Sequence, residues 1–377
     1  MLKNLRTLLP ALLASCLSFG AHAEEFSTEK VRIQTEIVAD GLENPWGMDF
    51  LPDGRIIVTE RGGTMRIVEK DGKTRPVDGV PQVVARGQGG LLDVVLAPDF
   101  AESKALYFTF VEPRDRLWGT ALARAILSEK DGSYALADVE VLLRMSKPGT
   151  TTRHFGSRIV FSPDGTIFVT TGERGQAERA QDMFDESGAV LHLNADGTIP
   201  GNNPFADGRK GAPSIWSKGH RNIQGAVFDT FTDSLLTVEH GAKGGDELNR
   251  PEAGKNYGWP VISYGVDYSG EKLGVGTEAP GYEQPLYYWD PSIAPSGLVS
   301  YKGDMFPEWN GDLLVGSLKF GLLVRLDRDE TGNVIGEERM LDNRFGRIRD
   351  VNLASDGSIW LLTDESDGAL IRVSRAD

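Results

Sequence analysis

Cysteine is almost missing from these 377 residues: the single one, Cys16, lies close to the start. No internal disulfide can staple the chain, and no cysteine-based zinc set can form. Histidine is nearly as scarce, with five residues. The phrases Gly-x-Ser-x-Gly and His-Glu-x-x-His are absent as well, which argues against a serine-hydrolase elbow and a zinc-peptidase helix. Basic charge is short too: 40 Lys and Arg face 55 Asp and Glu. A chain this acidic is a poor partner for nucleic acid or an anionic membrane.

Long apolar runs are confined to the first residues. Lys3 and Arg6 precede an apolar core from Leu8 to Phe19, and Ala21-His22-Ala23 puts small residues before Glu24. Residues 1–23 read as a secretory signal peptide whose core is too short for a bilayer span. Residues 24–377 are then the folded domain, expected in the periplasm. Leu13-Ala14-Ser15-Cys16 also has the form of a bacterial lipobox, in which Cys16 would be lipidated and anchor the chain to the outer membrane. Cleavage after Ala23 is the expected outcome, and it leaves 38 bases against 55 acids, a net charge of −17.

What fills the rest is a repeat. Trp46 to Val68 reads as strand, Pro-Asp-Gly turn, strand, glycine pair, strand. Versions recur at 91–111, 157–174, 225–241, 297–326 and 347–373, with apolar and polar residues alternating across each turn. Marker residues before the turns, from Phe50 through Leu96, Phe161, Phe228 and Tyr301 to Leu353, are 46 to 73 residues apart. Alternation across Pro, Asp and Gly is the mark of hairpin strands. Six such units predict an all-β fold, a six-bladed β-propeller of four-stranded antiparallel blades. Helical periodicity is weak throughout. Residues 285–295 and the stretch around 175–215 read as inserted loops. So does Glu239 to Pro260, a stretch with five glycines, two prolines and no apolar periodicity, following a strand-like run at 234–238.

Candidate chemistry concentrates between the repeats. His154 falls just before the third repeat, where a histidine is either a general base for an alcohol or a plain polar loop residue. His220, followed by Arg221 and Asn222, occupies the equivalent place before the fourth. Arg221, Lys319, Arg347 and Arg349 recur near strand ends, and Arg347 and Arg349 share one strand face. In so acidic a chain this points to a positive pocket for a ligand with several carboxylates or phosphates. The 239–260 stretch has the opposite chemistry: Asp246, Glu247 and glycines that let carbonyls turn toward a cation. Calcium takes six to eight such oxygens; an acidic surface turn is the plain alternative.

Taken together, GQGGLLDV, RHFGSRIVFSPDG, GHRNIQG, EHGAKGGDELNRPEAGKNYGWP, GSLKFGLL and RIRDV resemble the soluble quinoprotein sugar dehydrogenases. That family uses pyrroloquinoline quinone (PQQ) and calcium on a six-bladed propeller. The phrases run in order from residue 87 to 351. The resemblance implies that His154 is the general base, and that Arg221 and Asn222 contact the quinone. It implies that Gln88, Lys319, Arg347 and Arg349 hold the cofactor's carboxylates and carbonyls. Gly241 and Ala242 match carbonyl ligands of the calcium that polarises the quinone, while Glu247 and Tyr257 match a second, structural calcium, with Asp267 a weaker candidate. Two departures stand out: Ala242 replaces a proline of the glucose dehydrogenases, and Arg153 replaces an acid beside the base. The shorter chain looks closer to the aldose sugar dehydrogenase branch, so neither glucose specificity nor dimerisation is implied and a monomer is expected.

The expectation is therefore an enzyme oxidising aldose sugars at C1 to lactones and handing electrons to an external acceptor. A calcium-dependent propeller lactonase, or a non-catalytic sugar- or protein-binding propeller, are the alternatives.

Overall fold

The computed structural model describes residues 23–376. The signal-peptide and lipobox readings lie outside the described residues apart from Ala23.

The predicted hairpins form, and their turns show why. In Ser162-Pro163-Asp164-Gly165 the Asp164 carboxylate accepts the Thr166 N–H at 3.0 Å, and Gly165 adopts φ +83°. In Ala354-Ser355-Asp356-Gly357 the Asp356 carboxylate accepts the Ser358 N–H at 2.9 Å, and Gly357 again has φ +83°. An acid that caps its own turn, followed by the residue that tolerates left-handed backbone, folds the chain back between strands.

Strands Pro45–Phe50, Ile56–Glu60, Thr64–Val68 and Thr74–Asp78 form one antiparallel unit. Leu91–Leu96, Ala105–Arg114, Leu117–Lys130 and Ser133–Arg144 form the next. A short parallel pairing of Tyr134 and Ala135 with Val77 and Asp78 fuses these two into one eight-stranded sheet. Three sheets of four antiparallel strands follow. The first holds Ile159–Phe161, Ile167–Thr170, Ala189–Leu193 and Ile215–Lys218; the second Ile223–Asp229, Ser234–Glu239, Asp246–Asn249 and Tyr287–Trp289. The third holds Pro295–Ser300, Leu313–Ser317, Leu323–Arg328 and Val334–Met340. The last sheet joins both ends of the chain: Arg32–Leu42 pairs with Gly368–Arg375, placing Ile37 opposite Ile371.

The first strand of each unit meets the first strand of the next, from Pro45–Phe50 onward through Ile348–Leu353 and back to Pro45–Phe50. Strands radiating from such a ring make a β-propeller. The approach is close enough to exclude side chains. A Cβ on Gly225 would lie 2.1 Å from the Ser296 carbonyl oxygen, and one on Gly297 would lie 2.2 Å from the Val351 nitrogen. The core lies between neighbouring sheets, as where Tyr301, Phe306 and Trp309 pack with Ile348, Leu361 and Ile371.

Three stretches read as loops contain strands. Asp246–Asn249 breaks the 239–260 stretch, Tyr287–Trp289 lies within 285–295, and Ala189–Leu193 within 175–215, which also carries a 3-10 turn at Ala177–Gln181. In Asp246–Asn249 only Leu248 is a buried apolar side chain, and Asp246 and Asn249 are buried polar ones, so alternation of apolar residues is absent. Asp246 accepts from the N–H groups of Gly241 at 2.9 Å and Ala294 at 2.8 Å and from the Ser292 hydroxyl at 2.7 Å.

Candidate active site

At or just past the end of the second strand, several units carry an acid followed by a basic residue and glycine: Glu60-Arg61-Gly62, Glu173-Arg174-Gly175 and Glu239-His240-Gly241. With the loops that precede the first strands, these ends build the rim of one opening of the ring.

There a cavity of about 570 Å³ is lined by Gln88, Asn222, Lys319, Arg347 and Arg349, together with Trp46, Arg61, Gln224, His240 and Asp364. Four cations thus meet one carboxylate. Asp364 accepts from Arg349 at 2.6 Å and from Arg347 at 3.3 Å. Burial tends to raise its pKa, but the two guanidiniums outweigh that and hold it below the usual carboxylate range. Gln224 Oε1 takes a further Arg349 N–H at 2.9 Å. The Arg349 Nε is buried without a partner, and burial lowers this arginine's pKa. Lys319 is exposed over the Phe320 ring and forms no ion pair among the described residues. A surplus of cations with an orphaned buried donor fits a polyanionic ligand.

His154 borders the cavity through Gln88, whose Oε1 accepts the His154 backbone N–H at 2.7 Å. Its φ of +55° is left-handed, a conformation that costs an L-residue energy and clusters at functional positions. The Arg174 N–H to the His154 carbonyl, at 3.2 Å, helps to hold it. Nδ1 lies 2.6 Å from Glu173 Oε2, both side chains being buried. Burial lowers the His154 pKa more than Glu173 raises it. The ring is therefore neutral at neutral pH, with Nδ1–H donated to the carboxylate and Nε2 left without a protein partner.

Arg221 lies in an adjoining narrow cleft that includes Glu239, His240, Gly241, Glu247, Tyr257 and Trp259. His240 lines both spaces, so the two are neighbours. The Arg221 guanidinium stacks 5.1 Å over Trp259, and its buried Nε has no partner. Glu239 and Glu247 face each other across paired strands. Burial, then the Glu239 charge, pushes the Glu247 carboxyl up to about 8. Gly244 and Gly245 are left-handed, and a Cβ on Gly241 would lie 2.2 and 2.3 Å from their carbonyl oxygens. Facing carboxylates beside crowded carbonyls fit a hard cation. Among the described residues no three His, Cys, Asp or Glu side chains group as metal ligands, so such a cation relies on backbone oxygens.

The structure brings Gln88, Asn222, Lys319, Arg347 and Arg349 to one cavity, and Arg221, Gly241, Glu247 and Tyr257 to the cleft beside it. Ala242 is buried next to Gly241. The Tyr257 hydroxyl is already committed, donating to the Arg250 carbonyl and accepting from the Glu252 N–H at 3.0 Å. Asp267 lines neither space; its carboxylate caps its own turn at Ser269, 2.9 Å away. Glu173, Arg61, His240 and Asp364 were not singled out from the sequence. Their signal was the acid at or just past the end of the second strand, which recurs in several repeats.

An acid-held imidazole beside a cation-lined cavity on a propeller defines the class, and the family follows. The chain belongs to the Glucose / Sorbosone dehydrogenase family, whose pattern matches residues 42–372, and the resemblance read from its motifs is borne out. It is 40% identical to the aldose sugar dehydrogenase YliI of Escherichia coli over 348 residues, 91% of this chain and 93% of that one. It is 28% identical to quinoprotein glucose dehydrogenase B of Acinetobacter calcoaceticus over 411 residues, 87% of this chain and 85% of that one. The PQQ-bound aldose sugar dehydrogenase of Streptomyces coelicolor superposes with a TM-score of 0.75 at 27% identity, covering 94% of this chain and 99% of the other.

Proposed function

We propose that this chain is an exported, periplasmic dehydrogenase dependent on PQQ and calcium, acting as a monomer on a six-bladed propeller. It oxidises aldoses at C1 to lactones and passes the electrons to an external acceptor. The closed cycle of inner strands supports the blade count. The observation that carries the activity is the His154–Glu173 pair, 2.6 Å apart, against a cavity with surplus positive charge.

His154 Nε2 accepts the proton of the anomeric hydroxyl, since burial keeps the ring in its base form. Glu173 holds Nδ1–H, fixing the tautomer and stabilising the imidazolium that forms. Loss of that proton together with the hydride on C1 leaves the lactone carbonyl. PQQ, when bound, supplies the two-electron acceptor, and calcium the charge that polarises it. Gln88, Lys319, Arg347 and Arg349 would hold its carboxylates and carbonyls, and Arg221 and Asn222 its quinone edge. The Gly241 and Ala242 carbonyls would hold the catalytic calcium, with a structural calcium at Glu247 and the Tyr257 backbone.

Purified protein supplied with calcium and PQQ should reduce a dye in the presence of aldoses, and a chelator should abolish the reaction. A protein that stays inactive with every sugar tested would refute the reading.

A further inference from the structure

The cavity holds more cations than acids, yet positive charge does not end at its wall. Arg86 and Arg153 stand just outside it, on two loops that meet at Thr152. The Gln88 N–H donates to the Thr152 carbonyl at 2.9 Å, and a Cβ on Gly87 would lie 2.4 Å from that same oxygen. Both arginines are exposed, and neither forms an ion pair among the described residues. Elsewhere exposed arginines are commonly neutralised, as Arg375 is by Glu308 at 2.8 Å and Arg144 by Glu112 at 2.9 Å. In a chain of net charge −15, two guanidiniums without a carboxylate on loops that meet are a local departure.

These side chains are also supported. Arg86 stacks 5.3 Å over Trp118, whose Nε1 donates to the Thr151 carbonyl at 2.8 Å. Arg174 Nη2 donates to that carbonyl too, at 2.8 Å, so the loop carrying Arg153 is anchored from both sides. Arg153 itself lies over Gly175, where a Cβ would come within 3.1 Å of its Nε. Arg153 directly precedes His154, so an aldose with its anomeric hydroxyl at Nε2 has the rest of its ring within reach of this loop.

We infer that Arg86 and Arg153 form an anion subsite beside His154 that selects aldoses bearing a negative group, as uronic acids and sugar phosphates do. Guanidinium forks match carboxylate and phosphate oxygens in pairs, and unpaired positive charge at a cleft mouth raises the encounter rate with anionic substrates. The inference rests on the proposed dehydrogenase activity for its kinetics but not for binding.

The test compares D-glucuronate, D-glucose 6-phosphate and D-glucose, first as substrates of the enzyme supplied with calcium and PQQ. One or both anionic sugars should exceed glucose in kcat/KM by about tenfold to a hundredfold, the value of one or two hydrogen bonds to a charged group. Added salt should erode that advantage, and the two anions separate a carboxylate-selective from a phosphate-selective subsite. In the Arg86→Gln/Arg153→Gln double variant the ratio of anionic to neutral kcat/KM should fall toward one, through KM. Calorimetric titration of the same sugars into the cofactor-free protein gives a second readout: binding of the anionic sugars stronger than glucose, and lost in the variant. Equal kcat/KM for all three sugars, or a ratio untouched by the double substitution, overturns the subsite. Should no sugar be oxidised at all, the dehydrogenase reading fails and the titration alone decides the subsite.

Discussion

The molecule contains the same histidine–glutamate pair twice. His154 and Glu173 are 19 residues apart, as are His220 and Glu239, and Nδ1 meets the carboxylate at 2.6 and 2.7 Å respectively. Each histidine precedes the first strand of its unit, and each acid lies at or just past the end of the strand that returns. What differs is the layer above. His220 is fully buried, stacked on the Tyr257 ring with centroids 4.7 Å apart, and its Nε2 is bonded to the Ser217 hydroxyl at 2.9 Å. Its partner Glu239 also accepts from the Arg221 N–H at 2.6 Å and from Asn249 at 3.0 Å. His154 has no aromatic ring stacked on it and no partner at Nε2. One repeated pair thus leaves an imidazole nitrogen open in one unit and engages both nitrogens in the next. A carboxylate orients both imidazoles, so what sets the proposed base apart is the second nitrogen, left without a protein partner among the described residues.

Breaking the open pair should have the larger effect on turnover. His154→Ala should lower kcat by about 10²–10⁴-fold, the range of general-base contributions, while the thermal transition stays near that of the parent. A kcat within a few-fold of wild type would remove His154 from the chemistry. His220→Ala should act on stability, costing about 3 kcal/mol because buried Glu239 loses its partner; denaturant titration measures this. An unchanged midpoint would mean that the two pairs are not divided as described. Glu173→Gln keeps a hydrogen-bond acceptor for Nδ1–H but removes the charge that stabilises the imidazolium. It should lower kcat by roughly tenfold to a hundredfold, less than loss of the base itself, and stopped-flow dye reduction would resolve the two variants.

The smallest effect is a pH shift. Burial lowers the His154 pKa from its ordinary 6.5, so the ring takes up a proton only on stronger acidification. The kcat/KM profile should be level around pH 7 and decline only below 6.5 as pH drops. An acid limb centred above 7 would show that the Glu173 charge, not burial, dominates.

Much of this architecture was legible beforehand. Turn phrases such as Ser-Pro-Asp-Gly and Ala-Ser-Asp-Gly located the hairpins because local chemistry settles them: the acid caps the turn and glycine accepts the left-handed backbone. The strand Asp246–Asn249 was not legible, because its buried Asp246 carboxylate is satisfied by groups up to 48 residues away. Glu173 escaped notice because its value lies in one contact with His154, although its counterparts Glu60 and Glu239 stand at matching places in the repeat.

By itself, then, the sequence determined the class of fold, the repeated strand–turn–strand unit, the acidic balance and the basic residues that recur between units. These depend on neighbours along the chain or on composition, and both are written in residue order. Only the tertiary structure decided which of two like histidines keeps an open nitrogen, that Arg61 and Asp364 share a cavity with Arg349, and that the loops carrying Arg86 and Arg153 meet at Thr152. Those outcomes depend on which units close on each other around the ring, and on what packs above each pair. No local pattern encodes that.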